Sequence, residues 1–322
     1  MKYGSIDGVT RPLSRVIQGT LGLGRLTEAQ AFALLDSVYA QGARAFDTAP
    51  VYGQGRAEAL LGQWLSRQGT RGSAVIIDKG AHPNAAGARV NPRDISADVA
   101  RSLTALGVGS IDLYLLHRDD PNVPVGEIID CLNEERGAGR IDAFGASNWT
   151  HARIAEANAY ARSSGRGGFV ASSPELSLLE PVSTWPGCLS IGGPSGAAAR
   201  AWYRTLQFPL LAWSPLAGGF LGGKLTRELC RNPSTPEERR VVEFYSTDEN
   251  LARRERLGEL ARQRHMSLGQ AAIGYVASQG SNVFATVGCD SAQEFRECVL
   301  GFDVSFSAAE LCWLEAGGAA PW

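Results

Sequence analysis

Apolar residues along this chain form short runs that alternate with longer amphipathic stretches. Ala74–Ile77 is apolar at every position, so both faces of a strand there would be buried. Strands of this kind are typical of a parallel sheet covered by helices on both faces. Glu28–Ala40 has apolar residues at helical spacing and follows Thr27, a residue type that often caps helix N-termini. The alternation therefore predicts an α/β fold.

Eight strands can be read from this pattern, and most are followed by a predicted helix. The predicted strands are Arg15–Gln18, Ala45–Phe46, Ala74–Ile77, Ile111–Leu116, Ile141–Phe144, Gly168–Ala171, Leu210–Trp213 and Val283–Val287. The predicted helices are Glu28–Ala40, Ala57–Leu65, Ser96–Leu106, Pro124–Arg136, Thr150–Arg162, Thr247–Gln263, Ser267–Ser278, Ala292–Val299 and Ser307–Leu314, with a further helix before Leu210.

Eight strand–helix units in 322 residues predict a (β/α)8 TIM barrel, because an open doubly wound sheet usually needs fewer units. The turn at Asp7-Gly8 predicts an N-terminal β-hairpin, and extra helices are expected near the C-terminus. No linker-like segment divides the chain, so we expect one domain over residues 1–322. Long loops at 81–92, 181–194 and 219–247 are expected to form lids or substrate walls.

Composition and charge argue against several classes of protein. The formal net charge is −2, which does not favour a nucleic-acid or membrane partner and leaves the oligomeric state open. The N-terminal MKYGSIDG lacks the apolar core of a signal peptide. Six cysteines without CxxC spacing predict reduced thiols in a cytoplasmic protein: Cys131, Cys188, Cys230, Cys289, Cys298 and Cys312.

Polar residues stand at the ends of three consecutive predicted strands. They are Asp47, Lys79 and His117, and Tyr52 lies in the first of these loops. Active sites of α/β barrels lie at the C-terminal ends of the strands, so we expect the four side chains to converge. An ammonium beside a phenol should lower the pKa of the tyrosine, and the carboxylate should hold the lysine charged. Histidine can orient a carbonyl, so the set is suited to protonating a carbonyl oxygen.

Each of these residues alone has an ordinary structural explanation. A strand-end aspartate often caps a helix, a strand-end histidine is more often structural, and a lone tyrosine usually packs. Their placement on one rim is what favours catalysis.

The same residues lie in blocks that together resemble the aldo-keto reductases. The blocks are GARAFDTAPVYGQGRAE, VIIDKG, SLTALGVGSIDLYLLHRDD, GRIDAFGASNW and LLAWSPLAGGFLGGK. The resemblance implies a (β/α)8 barrel that binds an extended nicotinamide cofactor without a Rossmann fold. It also implies a catalytic tetrad in which Tyr52 is the general acid/base and Asp47, Lys79 and His117 are its partners. Hydride from the nicotinamide would then attack the carbonyl carbon of a small-molecule substrate.

The resemblance implies cofactor contacts at further positions. Asp47 itself is one of them, and Ser173 stands where the family usually has a glutamine. Trp213 takes the place of the aromatic residue that stacks on the nicotinamide ring. The remaining implied contacts are Gly19 and Thr20, the carboxamide ligands Ser147 and Asn148, the pyrophosphate contacts Ser214, Leu216, Gly218 and Lys224, and the adenosine-end residues Gly288, Asp290, Glu294, Glu297 and Cys298.

The adenosine-end loop, GCDSAQEFREC, departs from the family pattern. Family members that prefer NADP(H) usually present Lys or Arg there, whereas this chain presents Asp290 and Glu294. Carboxylates repel a 2′-phosphate and accept a hydrogen bond from a 2′-hydroxyl. NADP(H) is therefore the cofactor expected by family default, and the two acidic residues favour use of NAD(H).

Substrate contacts are expected from Tyr52, His117, Arg118 and Trp149. The mixture of aromatic and polar groups fits a sugar-like or hydroxylated carbonyl compound. Two other functions compete with this one. The same barrel could be a non-catalytic cofactor-binding or regulatory subunit, because fold alone does not fix function. A metal-dependent hydrolase would need clustered ligands at strand ends, and of four histidines only His117 directly follows a strand, so no metal site is predicted.

Overall fold

The computed structural model describes residues 1–223, 232–280 and 282–322. Eight parallel strands form a closed barrel in the order β10-β3-β4-β5-β6-β7-β8-β9, and β1 and β2 form a separate antiparallel pair. This architecture confirms the predicted (β/α)8 barrel and its N-terminal hairpin. The strands are β1 Tyr3–Gly4, β2 Leu13–Ser14, β3 Val16–Gly19, β4 Ala45–Asp47, β5 Val75–Gly80, β6 Ile111–Leu116, β7 Ile141–Ser147, β8 Ser172–Ser173, β9 Leu210–Trp213 and β10 Val283–Val287.

Eleven α-helices occur within the described ranges. They are α1 Glu28–Ala40, α2 Arg56–Gln68, α3 Pro92–Leu106, α4 Val125–Gly137, α5 His151–Ser163, α6 Ala197–Leu206, α7 Pro236–Tyr245, α8 Asp248–Gln263, α9 Leu268–Ala277, α10 Ala292–Gly301 and α11 Ala308–Ala316. The first begins as its sequence predicts, because the Thr27 hydroxyl accepts from the amide of Gln30 in a capping box. None of the described helices is both long enough and apolar enough to cross a bilayer.

Three element predictions were wrong. The sixth barrel strand is Ser172–Ser173, which lies just after the predicted Gly168–Ala171. A helix, α7, occupies part of the predicted loop 219–247 and is capped by Thr235. The third helix begins at Pro92, because Asn91 accepts from the amide of Asp94 and proline fits the first helical turn.

The chain falls into two compact units. The first contains Tyr3–Ser173, Gly288–Ala292 and Met1, and the second contains Pro174–Val287, Gln293–Trp322 and Lys2. Large buried side chains of the first unit include Phe46 and Trp64, whose rings lie 5.2 Å apart. The second unit has its own buried apolar cluster, which includes Phe220 and Tyr275. The expectation of a single domain stays a prediction.

Candidate active site

Lys79 lies within β5 and makes three hydrogen bonds through its ammonium. Its Nζ donates to both carboxylate oxygens of Asp47, the last residue of β4, at 2.5 Å each. It also donates to the hydroxyl of Tyr52 at 3.2 Å. Asp47 and Lys79 are each 3% exposed. Parallel pairing of β4 with β5 thus joins a carboxylate, an ammonium and a phenol in one continuous chain of contacts.

Tyr52 opens the short 3-10 helix Tyr52–Gly55, which follows β4. Its amide donates to the carbonyl of Ala49 at 3.0 Å. Gly53 and Gly55 both have positive φ, which glycine adopts without steric cost. A Cβ on Gly53 would lie 3.0 Å from the Cα of Gly24, so a side chain there would meet backbone. The two glycines therefore allow the tight turn that brings the phenol back to Lys79.

Burial and charge set the protonation states of this group. Burial raises the pKa of Tyr52, and Lys79 only partly opposes that effect. Lys79 lowers the pKa of the tyrosine as expected, but burial outweighs this effect, and the sequence does not show how strongly the phenol is buried. Burial would lower the pKa of Lys79, but Asp47 and Tyr52 together raise it above its ordinary value. Burial raises the pKa of Asp47, and Lys79 opposes this rise. At neutral pH the tyrosine carries its proton and the lysine stays charged.

His117 directly follows β6 and lies beside the tyrosine. The two ring centroids are 5.9 Å apart and the ring planes meet at 85°. Its amide donates to the carbonyl of Gly80 at 2.8 Å, which ties the residue to the end of β5. Burial, followed by the charges of Lys79 and Arg118, lowers the pKa of His117 well below its ordinary value. The imidazole is therefore neutral at neutral pH, and its Nδ1 has no hydrogen-bond partner among the described residues.

The backbone of His117 is fixed from a neighbouring loop. The side-chain amide of Asn148 donates to the His117 carbonyl at 3.0 Å, and Arg118 donates to the same oxygen at 2.8 Å. Asn148 has a φ of 64°, a left-handed conformation that asparagine tolerates better than most residues. The asparagine predicted to bind the cofactor thus also holds the histidine in position.

Trp149 corrects the expectation of a direct substrate contact. Its side chain is fully buried and packs against Phe169, with ring centroids 5.1 Å apart. Its indole N–H donates to the carbonyl of Arg118 at 2.9 Å. The indole therefore supports the backbone of Arg118 from behind and has no exposed surface to offer a substrate.

Comparison with known proteins identifies the family of this chain. The family model "Aldo/keto reductase family" matches residues 15–316. The chain belongs to the aldo/keto reductase family. It is therefore an oxidoreductase of a family that acts on carbonyl compounds.

Several relatives of this aldo/keto reductase are known. An uncharacterized oxidoreductase, YrpG, from Bacillus subtilis (strain 168) is 25% identical over 95% of this chain and 92% of its own. A probable voltage-gated potassium channel subunit beta from Oryza sativa subsp. japonica is 28% identical over 85% of this chain and 82% of its own. The solved glycerol dehydrogenase from Gluconobacter oxydans has the same fold, with a TM-score of 0.76 at 22% identity, covering 99% of this chain and 97% of its own.

Five of the predicted cofactor contacts of this reductase lie near the ends of β3, β7 and β8 in the first unit. Ser147 Oγ donates to the carbonyl of Ser173 at 2.7 Å, and the amide of Asn148 donates to the same oxygen at 3.2 Å. Gly19 ends β3 opposite Asp47. The amide of Thr20 donates to the Asp47 carbonyl at 2.8 Å, while its buried hydroxyl has no partner among the described residues.

In the second unit of the reductase, β9 ends at Trp213. The indole nitrogen of this residue is buried and has no partner among the described residues. Ser214 and Gly218 have φ values of 53° and 63°, so the backbone turns sharply around Leu216. A Cβ on Gly218 would lie 2.7 Å from Val241, which favours glycine there. Lys224, the other predicted pyrophosphate contact, lies outside the described residues.

The predicted adenosine-end residues differ in their surroundings. Gly288 and Asp290 are exposed in the first unit. An Asp290 carboxylate oxygen lies 3.3 Å from the position of a Cβ on Gly22, in the loop after β3. In the second unit, Glu294 and Glu297 are partly exposed and Cys298 is buried, and Glu297 accepts a hydrogen bond from Ser267 at 2.9 Å.

His82 was predicted only as part of a loop expected to form a lid or substrate wall, with no role of its own. It lies in the loop after β5, and its ring centroid is 4.9 Å from that of His117. The sequence placed it only within the long loop 81–92. Its position three residues after Lys79 is the signal that could have found it. No group of three or more His, Cys, Asp or Glu residues in the described ranges is arranged to hold a metal ion.

Proposed function

We propose that this chain reduces an aldehyde or ketone to an alcohol with a reduced nicotinamide dinucleotide, and that Tyr52 is the general acid. The observation that carries this proposal is the chain of contacts from Asp47 through Lys79 to the Tyr52 hydroxyl. A buried carboxylate that holds an ammonium against a phenol has no simple role in packing, because burying charges is costly. The same arrangement stabilises negative charge that develops on the phenol oxygen as its proton leaves.

The proton transfer follows from the protonation states. Tyr52 keeps its proton at neutral pH, so its O–H can donate to a carbonyl oxygen placed between it and His117. The neutral imidazole of His117 retains one N–H, which can orient that oxygen. The nicotinamide, when bound, supplies the hydride to the carbonyl carbon. As negative charge moves onto the carbonyl oxygen, the phenol proton neutralises it, and Lys79 stabilises the phenolate that remains.

Each compact unit, taken by itself, contains polar groups of the kind that bind part of a nicotinamide dinucleotide. In the first unit, the buried hydroxyl of Thr20 has no partner among the described residues, and Ser147 and Asn148 stand at the end of β7. These residues would hold the nicotinamide end. In the second unit, the indole N–H of Trp213 is likewise without a partner among the described residues. The sharp turn after Trp213 would offer backbone N–H groups to phosphate oxygens.

We propose that NADH is used at least as well as is common in this family, with NADPH as the family default. The carboxylate of Asp290 faces the loop after β3, and a second acid, Glu294, lies four residues further along. Carboxylates would repel a 2′-phosphate and accept from a 2′-hydroxyl. Steady-state kinetics with both cofactors tests this, and a strong preference for NADPH would contradict it.

We propose that the substrate is a small hydroxylated carbonyl compound, such as a sugar-like aldehyde or ketone. His82, Arg118 and His117 provide polar groups close to Tyr52. The structural relative from Gluconobacter oxydans is named a glycerol dehydrogenase, which is consistent with a small polyol or its carbonyl product. We place the enzyme in the cytoplasm and expect neither nucleic-acid nor membrane partners.

A regulatory subunit without activity remains the alternative, because relatives include proteins named potassium channel subunit beta. The complete set of Tyr52, Lys79, Asp47 and His117 argues for activity. The direct test follows the oxidation of NADPH or NADH by absorbance, with a panel of aldehydes and keto-sugars. We expect oxidation that depends on the carbonyl compound. Cofactor binding without turnover across the panel would favour the regulatory alternative, and activity confined to apolar aromatic aldehydes would contradict the substrate class.

A further inference from the structure

We propose that His82 determines substrate specificity by accepting a hydrogen bond from a hydroxyl group on the carbon next to the carbonyl. This inference rests on the proposed function and assigns a residue to its substrate class. The observation behind it is that the rings of Tyr52 and His82 both contact the ring of His117. The ring of His117 lies 5.9 Å from that of Tyr52 and 4.9 Å from that of His82, measured between ring centroids. A small carbonyl compound whose oxygen is held by Tyr52 and His117 therefore lies within reach of His82 through its other substituents.

The hydrogen bonds of His82 fix which ring nitrogen can accept. Its Nδ1 lies 2.8 Å from the carbonyl oxygen of Pro83. A carbonyl oxygen can only accept, so Nδ1 carries the hydrogen. In a neutral imidazole the other nitrogen, Nε2, then has a lone pair, and no partner for it occurs among the described residues. The ring is only partly buried, which leaves this acceptor accessible to a ligand.

The charges around His82 keep it an acceptor at neutral pH. Burial lowers the pKa of its imidazole, and the cations Arg118 and Arg89 lower it further, while the bond to Pro83 opposes them. A protonated ring would instead donate from both nitrogens and could not accept from a hydroxyl. The neighbouring His117 is neutral for the same reasons, so the two rings present a neutral, polar wall.

The loop that carries His82 is held rigidly. Ala81 is buried and has a φ of 58°, a conformation that residues with a Cβ adopt at a cost. Its amide donates to a carboxylate oxygen of Asp98 on α3 at 2.8 Å. Arg89, at the far end of the same loop, donates to both oxygens of Asp98 at 2.8 Å. Strained backbone that is held from several sides is typical of functional sites.

Two aldehydes of equal chain length isolate the hydroxyl contact. Lactaldehyde differs from propionaldehyde only by a hydroxyl on the carbon next to the carbonyl, so the ratio of their kcat/KM values measures the contribution of that hydroxyl. In the wild type we expect lactaldehyde to be preferred. His82→Phe keeps a ring against His117 and removes the acceptor, so we expect the ratio to fall roughly 3- to 10-fold, the effect of one lost hydrogen bond. His82→Gln keeps an acceptor and should retain part of the ratio.

The exposed histidine at position 265 provides a matched control, because it has a φ of 53° that asparagine tolerates. His265→Asn should leave the ratio unchanged. An equal fall for both aldehydes in His82→Phe would show that His82 only supports His117, and would overturn the inference. An unchanged ratio would overturn it as well. Failure of the wild type to reduce either aldehyde would instead overturn the proposed function.

Discussion

The charged state of Lys79 depends on the balance between burial and its two partners. Burial alone would make this ammonium lose its proton more readily, and Asp47 reverses that tendency through two short hydrogen bonds. Removing one member of such a pair leaves the other charge buried without compensation. The pair therefore affects both folding and proton transfer, and the two effects can be separated by mutation.

Lys79→Met should lower the free energy of unfolding by about 3–5 kcal/mol, because it leaves the Asp47 carboxylate buried alone. It should also lower turnover roughly 100-fold or more, because the phenolate loses its cation. The double variant Asp47→Asn with Lys79→Met removes both charges. It should recover most of the stability in urea unfolding but none of the turnover. A double variant as unstable as Lys79→Met would contradict the ion-pair explanation.

At the residue scale, the sequence predicted which side chains converge but not their chemical environment. Asp47, Lys79 and His117 could be placed because parallel barrel strands end on one rim. The lowering effect of Lys79 on the pKa of Tyr52 was predicted, but the larger rise caused by burial was not, because desolvation depends on the atoms packed around the hydroxyl. His82 was placed in a substrate-wall loop without a role of its own, because a loop of irregular sequence has no periodicity from which to place its ring beside that of His117.

Among the helices, α2 and α3 approach closely at a glycine. A Cβ on Gly62 would lie 2.1 Å from the backbone oxygen of Leu106, the last residue of α3. Gly62→Ala should therefore force the two helices apart and lower the free energy of unfolding by about 1–3 kcal/mol. Gly258 on α8 is the matched control, because its Cβ would meet only Arg262 Nη1 at 3.7 Å. Gly258→Ala should stabilise the protein by up to about 1 kcal/mol. Equal effects in thermal or urea unfolding would contradict the packing argument.

Within the second unit, a buried carboxyl joins two elements. Glu175 is fully buried, accepts from the hydroxyl of Ser190, and accepts from the hydroxyl of Tyr245, the last residue of α7, at 3.5 Å. Burial raises the pKa of Glu175 from 4.5 to about 7. The folded protein then binds more protons than the unfolded chain between about pH 4.5 and about pH 7. The contribution of this group to stability is therefore present at low pH and is lost as the pH rises through that window.

Glu175→Gln should remove this pH dependence. Between about pH 5 and about pH 8, the free energy of unfolding of the variant should rise by about 2.5 kcal/mol relative to that of the wild type. Urea unfolding of both proteins at both pH values measures the difference. The contributions of all other ionisable groups are the same in the two proteins and cancel in the comparison. Parallel stability profiles for the two proteins would show that the carboxyl ionises in the folded state as it does in the unfolded chain.

Element prediction succeeded where apolar periodicity is strong and failed where it is not. Long helices such as α1 combine a capping residue with a regular apolar face. The strand Ser172–Ser173 was displaced from its predicted position because it consists of two serines, and polar residues give no strand signal. Helix α7 was missed because half of its residues are charged, although Thr235 and Glu238 form a capping box at its start.

At the scale of the whole molecule, the sequence predicted the barrel because every strand had to be buried on both faces. The eight strands then determine where the polar strand ends lie, and the tetrad follows from that arrangement. The adenosine end could not be predicted in the same way. Its residues belong to a loop and to the start of a helix, where apolar periodicity does not determine side-chain direction, so Asp290 and Glu294 support only a proposal about cofactor choice.

The central claim is that Tyr52 donates the proton to the carbonyl oxygen. Tyr52→Phe removes one oxygen atom and leaves the ring beside Lys79 and His117. The decisive measurement compares carbonyl-dependent cofactor oxidation and cofactor affinity, by fluorescence titration, in this variant and the wild type. The account predicts that turnover falls roughly 100- to 10,000-fold while cofactor affinity is unchanged. Carbonyl reduction at the wild-type rate in Tyr52→Phe would contradict it.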